Sequence, residues 1–428
     1  MKKIMVVLAL ACCTVMALRP VPNEEEFVAS NFAFAGGQLK KMLTAAAPYD
    51  TLFPRTIDKE GKLKLTGKYE WTSGFFPGSL WYAYEATKDN SLKKEAIQWT
   101  EKLEALQYFT EHHDLGFMLY CSYGNAYRLT GNEQYKKLLI QAANSLSTRF
   151  NPKTGSIKSW NGFGSWDGQH KYYYPVIIDN MMNLELLFFA SKVSGNKRYR
   201  DIAITHANNV IKNQVRPDYS CHHVVCYDST TGKVLSRETA QGYANNSTWA
   251  RGQAWGIYGF TMSYRETKDK RYLTTAQKMA DYYLDNKELP ADKIAYWDFY
   301  ANNAGYQPGV RSHAPETPVK YRDVSSAAIT ASALLELSTY LDNKGAKYRD
   351  GAIAILHALS GPAYKAKAGE NGDFILKHSV GSIAHGFEID VPLVYADYYY
   401  LEALNRYRLL LAQKHIIAGD AINPTVYE

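Results

Sequence analysis

The sequence is poor in the features that define several large classes of protein. It has 5 cysteines in 428 residues, too few for a fold built on disulfide bonds. Beyond the N-terminal stretch, no segment is long and apolar enough to cross a membrane. The formal net charge of +7 is not gathered in any Lys/Arg block, which argues against a nucleic-acid-binding protein. Gly-rich phosphate loops, nucleophile elbows and zinc motifs are also missing.

Apolar residues are abundant and linker-like segments are absent. Apolar side chains make up 46% of the chain, and Tyr alone occupies 34 positions. This composition indicates a large packed core rather than a disordered chain. Since no stretch rich in Pro, Gly or Ser divides the sequence, we expect residues 18–428 to form one domain.

The N-terminus has the pattern of a secretory signal. Two lysines precede an apolar stretch, and Val15 and Ala17 supply the small residues of a cleavage site. We therefore expect residues 1–17 to be removed and the protein to be exported, to the periplasm. Cys12 is an alternative site of lipidation, which would anchor the protein instead.

Three cysteines remain beyond this signal: Cys121, Cys221 and Cys226. The stretch "CHHVVC" (221–226) allows a metal site or a disulfide bridge between its two cysteines. Its alternation of polar and apolar residues favours a β-strand instead, followed by the turn "STTGK" and a second strand "VLSRE". The sequence therefore predicts a β-hairpin here and leaves the bridge open.

An irregular internal repeat organises the chain into pairs of helices. Each repeat has a polar turn that opens an amphipathic helix, and each follows a segment with few charges that is typical of a buried helix. The polar turns begin at 88, 131, 195, 268 and 343. The apolar helices are predicted at 74–87, 115–129, 181–191, 252–264, 324–337 and 391–404.

A further amphipathic helix within 24–47 supplies a sixth outer partner. Six inner and six outer helices are typical of an all-α (α/α)6 barrel, with an open α-solenoid as the alternative. In a closed ring, the beginnings of the inner helices meet at one end. That end is the expected position of a pocket.

Polar and aromatic residues cluster where the inner helices begin. Four of these seams carry an aspartate, namely Asp114, Asp179, Asp323 and Asp390. Their convergence with Trp, Arg and His in one cavity is the usual pattern of a substrate site. Paired carboxylates are suited to acid/base work, because mutual repulsion lets one keep its proton at higher pH.

The alternative to catalysis is helix capping. Asp is a favoured N-cap, worth about 1 kcal/mol over Ala, and Asp390 before "VP" has the pattern of a pure cap. Trp71 and Trp255 can equally be core residues, and Arg251 can simply pair with a capping aspartate. Spacing alone does not rank the four carboxylates.

Several stretches together resemble glycoside hydrolase family 88, the unsaturated glucuronyl hydrolases. The resemblance extends over about residues 31–404. It is carried by "WTSGFFPGSLW", "HHDLGFM", "YPVIIDNMMNLELL", "HHVVCYDSTTGKV", "WARGQAWGIYGF" and "DVPLVYADYYYLEAL". The resemblance implies an (α/α)6 barrel and no metal or other cofactor. It also implies a small oligosaccharide substrate that ends in an unsaturated uronic acid.

The resemblance also assigns roles to particular residues. The acid/base aspartate of the family matches Asp179 in "IIDN", and its second essential carboxylate matches Asp114 in "HHDLG". The implied chemistry is hydration of the C4=C5 double bond of the uronic acid. The substrate-binding residues of the family fall on Trp71, Phe75, His113, Trp160, His223, Gln241, Arg251 and Trp255.

Three other functions share parts of this pattern. Family 105, which acts on unsaturated rhamnogalacturonan, has the same barrel. A non-catalytic sugar-binding barrel would not need a carboxylate at Asp179. A sugar epimerase would rely on a pair of histidines at helix ends, for which His112 and His113 are candidates.

Finally, "LKHSVGSIAHG" (376–386) predicts a rim loop that reads sulfate. Ser379 and Ser382 would bind the anion, and Gly381 would let it approach the backbone. Some members of the family have a Lys two residues after the second serine, where this chain has Ala384. We therefore expect a sulfated substrate to be tolerated rather than required.

Overall fold

The structure is a computed structural model that describes residues 23–417. The predicted signal peptide and the lipidation alternative at Cys12 lie outside the described residues.

Within residues 23–417, a series of helices alternates between an inner and an outer layer, joined by short antiparallel β-sheets. In chain order the helices are α1 (Glu24–Ala46), α2 (Phe75–Thr87), α3 (Asn90–Glu101), α4 (Asn125–Thr130, preceded by a π-helix at Gly116–Gly124), α5 (Glu133–Ser147), α6 (Asn180–Ser194), α7 (Lys197–Asn213), α8 (Ala250–Thr267), α9 (Lys270–Leu284), α10 (Val324–Ser338), α11 (Gly345–Ser360) and α12 (Val394–Leu411).

The even-numbered helices form a closed inner ring. Each packs on the next, with the π-helix between α2 and α6, and α12 packs back on α2. The odd-numbered helices lie outside. The architecture is therefore the predicted (α/α)6 barrel, and the alternative of an open solenoid is wrong. No helix among residues 23–417 has both the length and the apolar character that crossing a bilayer requires.

The layers follow from the distribution of apolar residues. In α8 every residue from 250 to 263 is buried, whereas α9 buries one face and exposes the other. Inner helices also approach each other closely: a Cβ at Gly259 would lie 2.4 Å from Cβ of Met181. A larger residue there would separate α8 from α6.

The repeated polar turns have a common geometry. Lys88, Gly131, Gly195 and Lys268 each end an inner helix in a left-handed conformation. The Asp or Asn that follows caps the next outer helix, accepting a hydrogen bond from a backbone N–H two residues on. This dipeptide satisfies helix-end groups that would otherwise lack partners, and it reverses the chain.

The strands lie mainly at the end of the barrel where inner helices begin. All pairs are antiparallel: β1–β2, β3–β4, β5–β6, β7–β8–β9 and β10–β11. Their bounds are β1 (Leu52–Ile57), β2 (Leu63–Gly67), β3 (Phe150–Asn151), β4 (Ser156–Ile157), β5 (Phe163–Gly164), β6 (Lys171–Tyr172), β7 (Pro175–Ile177), β8 (Val224–Tyr227), β9 (Val234–Glu238), β10 (Ser379–Ser382) and β11 (Phe387–Val391). The hairpin predicted after "CHHVVC" is confirmed as β8–β9. Cys221 and Cys226 are free thiols rather than a disulfide.

Of the four aspartates for which helix capping was the alternative to catalysis, three do not cap an inner helix with their side chains. Only Asp323 does so with its side chain, accepting from the Ser325 N–H at 3.1 Å. Asp390 lies in strand β11, because α12 begins at Val394, three residues later than expected. Asp114 and Asp179 precede helices, but their carboxylates make no capping hydrogen bond.

Candidate active site

The residue at the centre of the candidate site is Asp179, at the seam between β7 and α6. It is 7% exposed, and its Oδ2 has no hydrogen-bond partner in the described structure. Burial raises its pKa to about 7, with the positive charge of Arg251 opposing the shift and the negative charge of Asp114 reinforcing it. A carboxyl group with this pKa can donate a proton and recover it near neutral pH.

His223, beside Asp179, is held in a single tautomer. Its Nδ1 accepts hydrogen bonds from the backbone N–H groups of Ala240 (3.1 Å) and Gln241 (3.2 Å). Burial and the charge of Arg251 keep the pKa of His223 well below its usual value, so the ring is neutral. Its proton therefore resides on Nε2, 3.7 Å from Asp179 Oδ2. The ring is placed to donate to the Asp179 carboxylate once that group has lost its proton.

Asp114 lies between two histidines just before the π-helix. His112 Nδ1 is 2.9 Å from its Oδ2, and His113 Nε2 is 3.2 Å from its Oδ1. Burial pushes the pKa of Asp114 upward, but His113 and His112 outweigh this effect and hold it below its usual value. Asp114 is therefore ionised while Asp179 can be protonated. The two carboxyl groups have the opposite charge states that acid/base chemistry needs.

The π-helix follows Asp114 directly. The backbone N–H of Phe117, in the first turn of the π-helix, donates to Asn183 Oδ1 at 3.1 Å. A side chain of α6 therefore satisfies one of the backbone N–H groups at the start of the π-helix. Single π-turns inside helices occur often at functional sites. Here the π-helix joins the Asp114 seam to the Asp179 helix.

An aromatic wall lies opposite the carboxyl groups. Trp71 is half-buried, and its ring centroid lies 4.9 Å from Tyr395, 5.4 Å from Phe117 and 5.8 Å from Phe75. Phe75 is fully buried behind it. Trp71 therefore presents a partly exposed face to the cavity, and Phe75 supports that face from behind.

Arg251 and Trp255 lie one turn apart on α8, as predicted, but both are buried. Nη1 of Arg251 is 3.2 Å from Asp323 Oδ2, and Nη2 donates to the Gly381 carbonyl at 2.7 Å. The structure thus confirms the alternative in which Arg251 pairs with a capping aspartate. Trp255 has 0% exposure, so it has no free face for stacking. Its indole instead lies near enough to Asp179 to favour the ionised form.

Two further predicted binding residues, Trp160 and Gln241, lie at the rim of the pocket near His223. Trp160 is partly exposed, with its ring centroid 6.4 Å from His223 and nearly perpendicular to it. Gln241 is also partly exposed, and its Nε2 donates to the Gly381 carbonyl at 3.2 Å. Both are positioned by the same rim segments that hold His223.

The predicted sulfate loop is not a loop. Ser379 and Ser382 are buried in strand β10, because residues 379–382 pair with β11. The Ser382 hydroxyl is hydrogen-bonded to His385 Nδ1 at 2.7 Å, whereas the Ser379 hydroxyl has no partner in the described structure. The two hydroxyls do not share a partner. Lys377, the cation that precedes this strand, is hydrogen-bonded within the protein, with Nζ donating to the Pro362 carbonyl.

Two residues that the structure places in the site were not predicted as site residues of a hydrolase, although His112 was named as a candidate for an epimerase. His112 contacts Asp114, and Tyr395 packs on Trp71. The adjacent histidines of "EHHDLG" were a signal for the first. The second lies in the first turn of α12, where its apolar surroundings are indistinguishable from core.

No group of three or more His, Cys, Asp or Glu side chains within residues 23–417 is arranged to hold a metal ion. The residues around Asp179 are instead one acid, one anion, histidines and aromatic rings. This set is suited to proton transfer to an organic substrate and to holding a sugar ring.

Comparisons with known proteins identify the family to which the chain belongs. The family model for Glycosyl Hydrolase Family 88 matches residues 51–263. The chain is 43% identical over 393 residues to an unsaturated glucuronyl hydrolase of Formosa agariphila, covering 91% of this chain and 92% of the relative. It is 35% identical over 351 residues to an unsaturated chondroitin disaccharide hydrolase of Streptococcus agalactiae, covering 80% and 83%.

A solved structure is similar over nearly the same length. It is an unsaturated glucuronyl hydrolase specific for heparin, 47% identical, with a TM-score of 0.82 over 91% of this chain and 98% of that chain. These matches cover the barrel and the seams that carry Asp114 and Asp179. The protein is therefore a glycoside hydrolase, and it belongs to glycoside hydrolase family 88.

Proposed function

We propose that this enzyme releases the terminal unsaturated uronic acid from glycosaminoglycan disaccharides produced by polysaccharide lyases. The observation that carries the proposal is the pair of buried carboxyl groups in opposite charge states, protonatable Asp179 and ionised Asp114. Similarity to a heparin-specific hydrolase and to chondroitin disaccharide hydrolases supports the substrate class. The higher identity to the former makes heparin-derived disaccharides the first substrate to test.

The reaction follows from the chemistry of a vinyl ether. Asp179 donates its proton to C4 of the double bond, which leaves oxocarbenium character at C5. The Asp179 carboxylate then takes a proton from water as its oxygen bonds to C5. The product is a hemiketal that opens and releases the neighbouring sugar, so one group serves as acid and then as base.

The surrounding residues support each step. Ionised Asp114 lies near enough to favour the positive charge that develops on the sugar, and it accepts hydrogen bonds from sugar hydroxyls. The Nε2–H of His223 stabilises the Asp179 carboxylate after protonation of C4. Trp71 and Trp160, the two partly exposed rings, hold the sugar faces.

The test is Asp179→Asn assayed on a panel of unsaturated disaccharides from heparin, chondroitin and hyaluronan. Turnover is followed by loss of the ultraviolet absorbance of the conjugated double bond. We expect at least a 10³-fold loss of turnover with the fold retained, because Asn cannot donate and recover a proton. Normal turnover by folded Asp179→Asn protein would refute the mechanism, and an inactive wild type on all three disaccharides would refute the substrate class.

We also propose that a sulfated disaccharide is tolerated rather than required. Ser379 and Ser382 are buried in β10, and only the Ser379 hydroxyl is free to accept a new partner. The double variant Ser379→Ala/Ser382→Ala should lose more activity on a sulfated disaccharide than on its unsulfated match. An equal loss on both would show that β10 does not bind sulfate.

A further inference from the structure

A groove rich in positive charge lies on the outside of the barrel, beyond the catalytic pocket. It consists of two adjoining depressions of about 940 and 910 Å³, which share Lys212 and Asn213 at the end of α7. Their other walls are the β8–β9 hairpin and the turn after β3. Neither depression is lined by an Asp or Glu. We call the surface formed by Lys153, Lys212, Lys233 and Arg237 the basic groove.

All four cations of the basic groove are exposed. None lies within 4 Å of a carboxylate oxygen in residues 23–417, whereas exposed cations elsewhere, such as Lys347, do form ion pairs. Arg237 donates from Nε to the Asn213 carbonyl at 2.9 Å, and its side chain remains exposed. The groove therefore holds four cations that form no ion pair with a carboxylate of residues 23–417, although the charge of Lys233 contributes to lowering the pKa of nearby Asp228.

The floor of the groove is neutral and forms hydrogen bonds. The side-chain amides of Asn209 and Asn213 donate to the Tyr227 hydroxyl at 3.0 and 3.2 Å. At one end lies Tyr219, with Lys278 Nζ 4.6 Å from its ring centroid. The two amides are held by the protein's own hydrogen bonds, so contact with a ligand falls to the Tyr219 ring and to the cations, which bind anionic substituents.

The neighbouring acids do not cancel this charge. The Asp228 carboxylate accepts hydrogen bonds from the backbone N–H groups of Thr230 and Thr231 at 2.7 and 3.1 Å. Asp218 is bonded to Ser220 in its own turn. Helix-dipole complementation by a last-turn cation accounts for Lys212 alone. The other three cations have no such structural explanation.

We infer that the basic groove binds a sulfated polysaccharide chain at a site separate from the catalytic pocket. A linear polyanion spans several cations at once, and the counterions that it releases favour binding. The groove is close to the pocket, because its lining residue His222 directly precedes His223. The choice of a sulfated glycosaminoglycan over other polyanions rests on the proposed function.

The groove would keep the enzyme on a partly digested polymer. Each lyase cut creates an unsaturated end, which is the group that Asp179 is proposed to act on. Retention on the polymer raises the local concentration of such ends without changing the chemistry of one turnover. Binding at the groove and hydrolysis at Asp179 are therefore separable in an experiment.

The test compares two quadruple variants that remove the same charge. The groove variant carries Lys153→Gln, Lys212→Gln, Lys233→Gln and Arg237→Gln. The control variant carries Lys59→Gln, Lys94→Gln, Lys137→Gln and Lys270→Gln, four exposed lysines on separate elements without ion pairs. The probe is a heparin dodecasaccharide made by chemical cleavage, so that its saturated end is not a substrate. Its affinity is measured by calorimetry at several salt concentrations.

We expect the groove variant to lose about tenfold or more in affinity at 0.1 M salt, with a weaker salt dependence. The control variant should stay within about twofold of the wild type, and both should hydrolyse an unsaturated disaccharide normally. Equal losses in the two variants, or no binding by the wild type, would overturn the proposal. So would equally tight binding of single-stranded DNA of matched charge, since the groove would then be a general polyanion site. An inactive wild type would count against the proposed function and not against binding.

Discussion

At the scale of the residue, the raised pKa of Asp179 suits it to proton transfer and also makes the folded protein less stable at neutral pH. Its pKa in the folded protein is about 7, against an ordinary value of 3.8. The folded state therefore favours the protonated form, and the stability it contributes is fully present below about pH 4 and is lost as the pH rises through 7. A shift of this size corresponds to roughly 4 kcal/mol at most.

Asp179→Asn should remove this pH dependence. Relative to the wild type, the variant should gain roughly 2–4 kcal/mol in the free energy of unfolding between pH 4 and pH 8. Urea denaturation of both proteins across that range measures the difference. The control is Asp201→Asn at an exposed position on α7, for which the difference from wild type should stay constant. A constant difference for Asp179→Asn as well would contradict the raised pKa.

His112 sets the charge balance around both carboxyl groups. Its Nε2 faces the Tyr69 carbonyl at 3.1 Å and its Nδ1 faces Asp114 at 2.9 Å, closer than the Asp114 amide at 3.3 Å. Two acceptors favour the doubly protonated ring. Burial alone would lower its pKa, but the bond to Asp114 and its charge raise it, against the opposing charge of Arg149.

His112→Gln should therefore shift the pH profile of kcat/KM upward, by about 0.5–1 unit. Removing the cation raises the pKa of Asp114, which must be ionised, and that of Asp179, which must be protonated. Both limbs of the profile then move in the same direction. His357→Gln, which alters a histidine–glutamate pair between α11 and α1, is the control and should leave the profile unchanged. A uniform loss of activity at every pH would assign His112 a structural role alone.

The charge and tautomer of site residues were not readable from the sequence. The motif match placed Asp179, Asp114, His113 and His223 together, and the structure does bring them together. However, burial decides their pKa values, and burial depends on distant segments. Arg251 shows the same limit: its partner Asp323 lies 72 residues away, so spacing could not choose between substrate and ion pair.

At the scale of the element, helices were predictable because their signals are local. Apolar runs identified the inner helices, and polar turns identified the outer ones. Of the rim strands, the β8–β9 hairpin was predicted from its alternation, whereas strands of two or three residues are too short to carry such a pattern. The strand β10 was predicted as a loop since its Ser and Gly residues have low β-propensity, and its burial against β11 and Arg251 overrides that preference.

The β10–β11 hairpin is joined to the Trp71 wall by one arginine of β1. Arg55 Nε and Nη2 donate to Glu388 at 2.5 and 3.0 Å, and its Nη1 pairs with Glu70. Glu70, the residue before Trp71, also accepts from the N–H of Thr72, the residue after it, at 2.9 Å. The two residues that flank Trp71 are therefore bonded to each other. The Arg55 guanidinium group thus ties the two sides of the pocket together, beside a hydrogen bond from the Thr56 hydroxyl to the Pro392 carbonyl at 2.6 Å.

Arg55→Lys should loosen the pocket without affecting the acid/base group. Lys cannot make the two-pronged contact, so we expect KM for the unsaturated disaccharide to rise about 5–20-fold while kcat changes by less than about threefold. Arg271→Lys, which alters an exposed pair with Asp269, should change neither constant. A fall in kcat at constant KM would contradict a positioning role for Arg55.

At the scale of the whole molecule, the two ends of the barrel have different chemistry. The end where inner helices begin carries the carboxyl groups and aromatic rings of the site. Toward the opposite end, buried charges join the inner helices to each other: Arg265 of α8 contacts Glu336 of α10 and Glu185 of α6, and Arg406 of α12 also contacts Glu336. This cluster therefore contributes stability away from the site, whereas the buried Arg251–Asp323 pair lies at the site itself.

Glu336 is the residue at which this charged cluster can be tested. It is 1% exposed, and its carboxylate oxygens lie 3.0 and 3.1 Å from Arg265 Nη1 and 3.2 Å from Arg406 Nη2. Glu336→Gln keeps the shape but leaves two buried guanidinium groups short of one negative charge. Glu185, Glu266 and Glu402 still face these guanidinium groups, so the cost is that of weakened buried, charge-assisted hydrogen bonds, and the free energy of unfolding should fall by about 1.5–3 kcal/mol.

The measurement is urea denaturation together with disaccharide kinetics at a temperature where the variant stays folded. KM should be unchanged, since Glu336 lies in the last turn of α10, away from the pocket. Lys347→Gln, which removes an exposed pair with Asp281 and Asp285, should cost less than about 1 kcal/mol. If Glu336→Gln were as stable as Lys347→Gln, the cluster would not hold the inner helices together. If KM rose instead, the two ends of the barrel would be coupled, and the separation of this cluster from the site would be wrong.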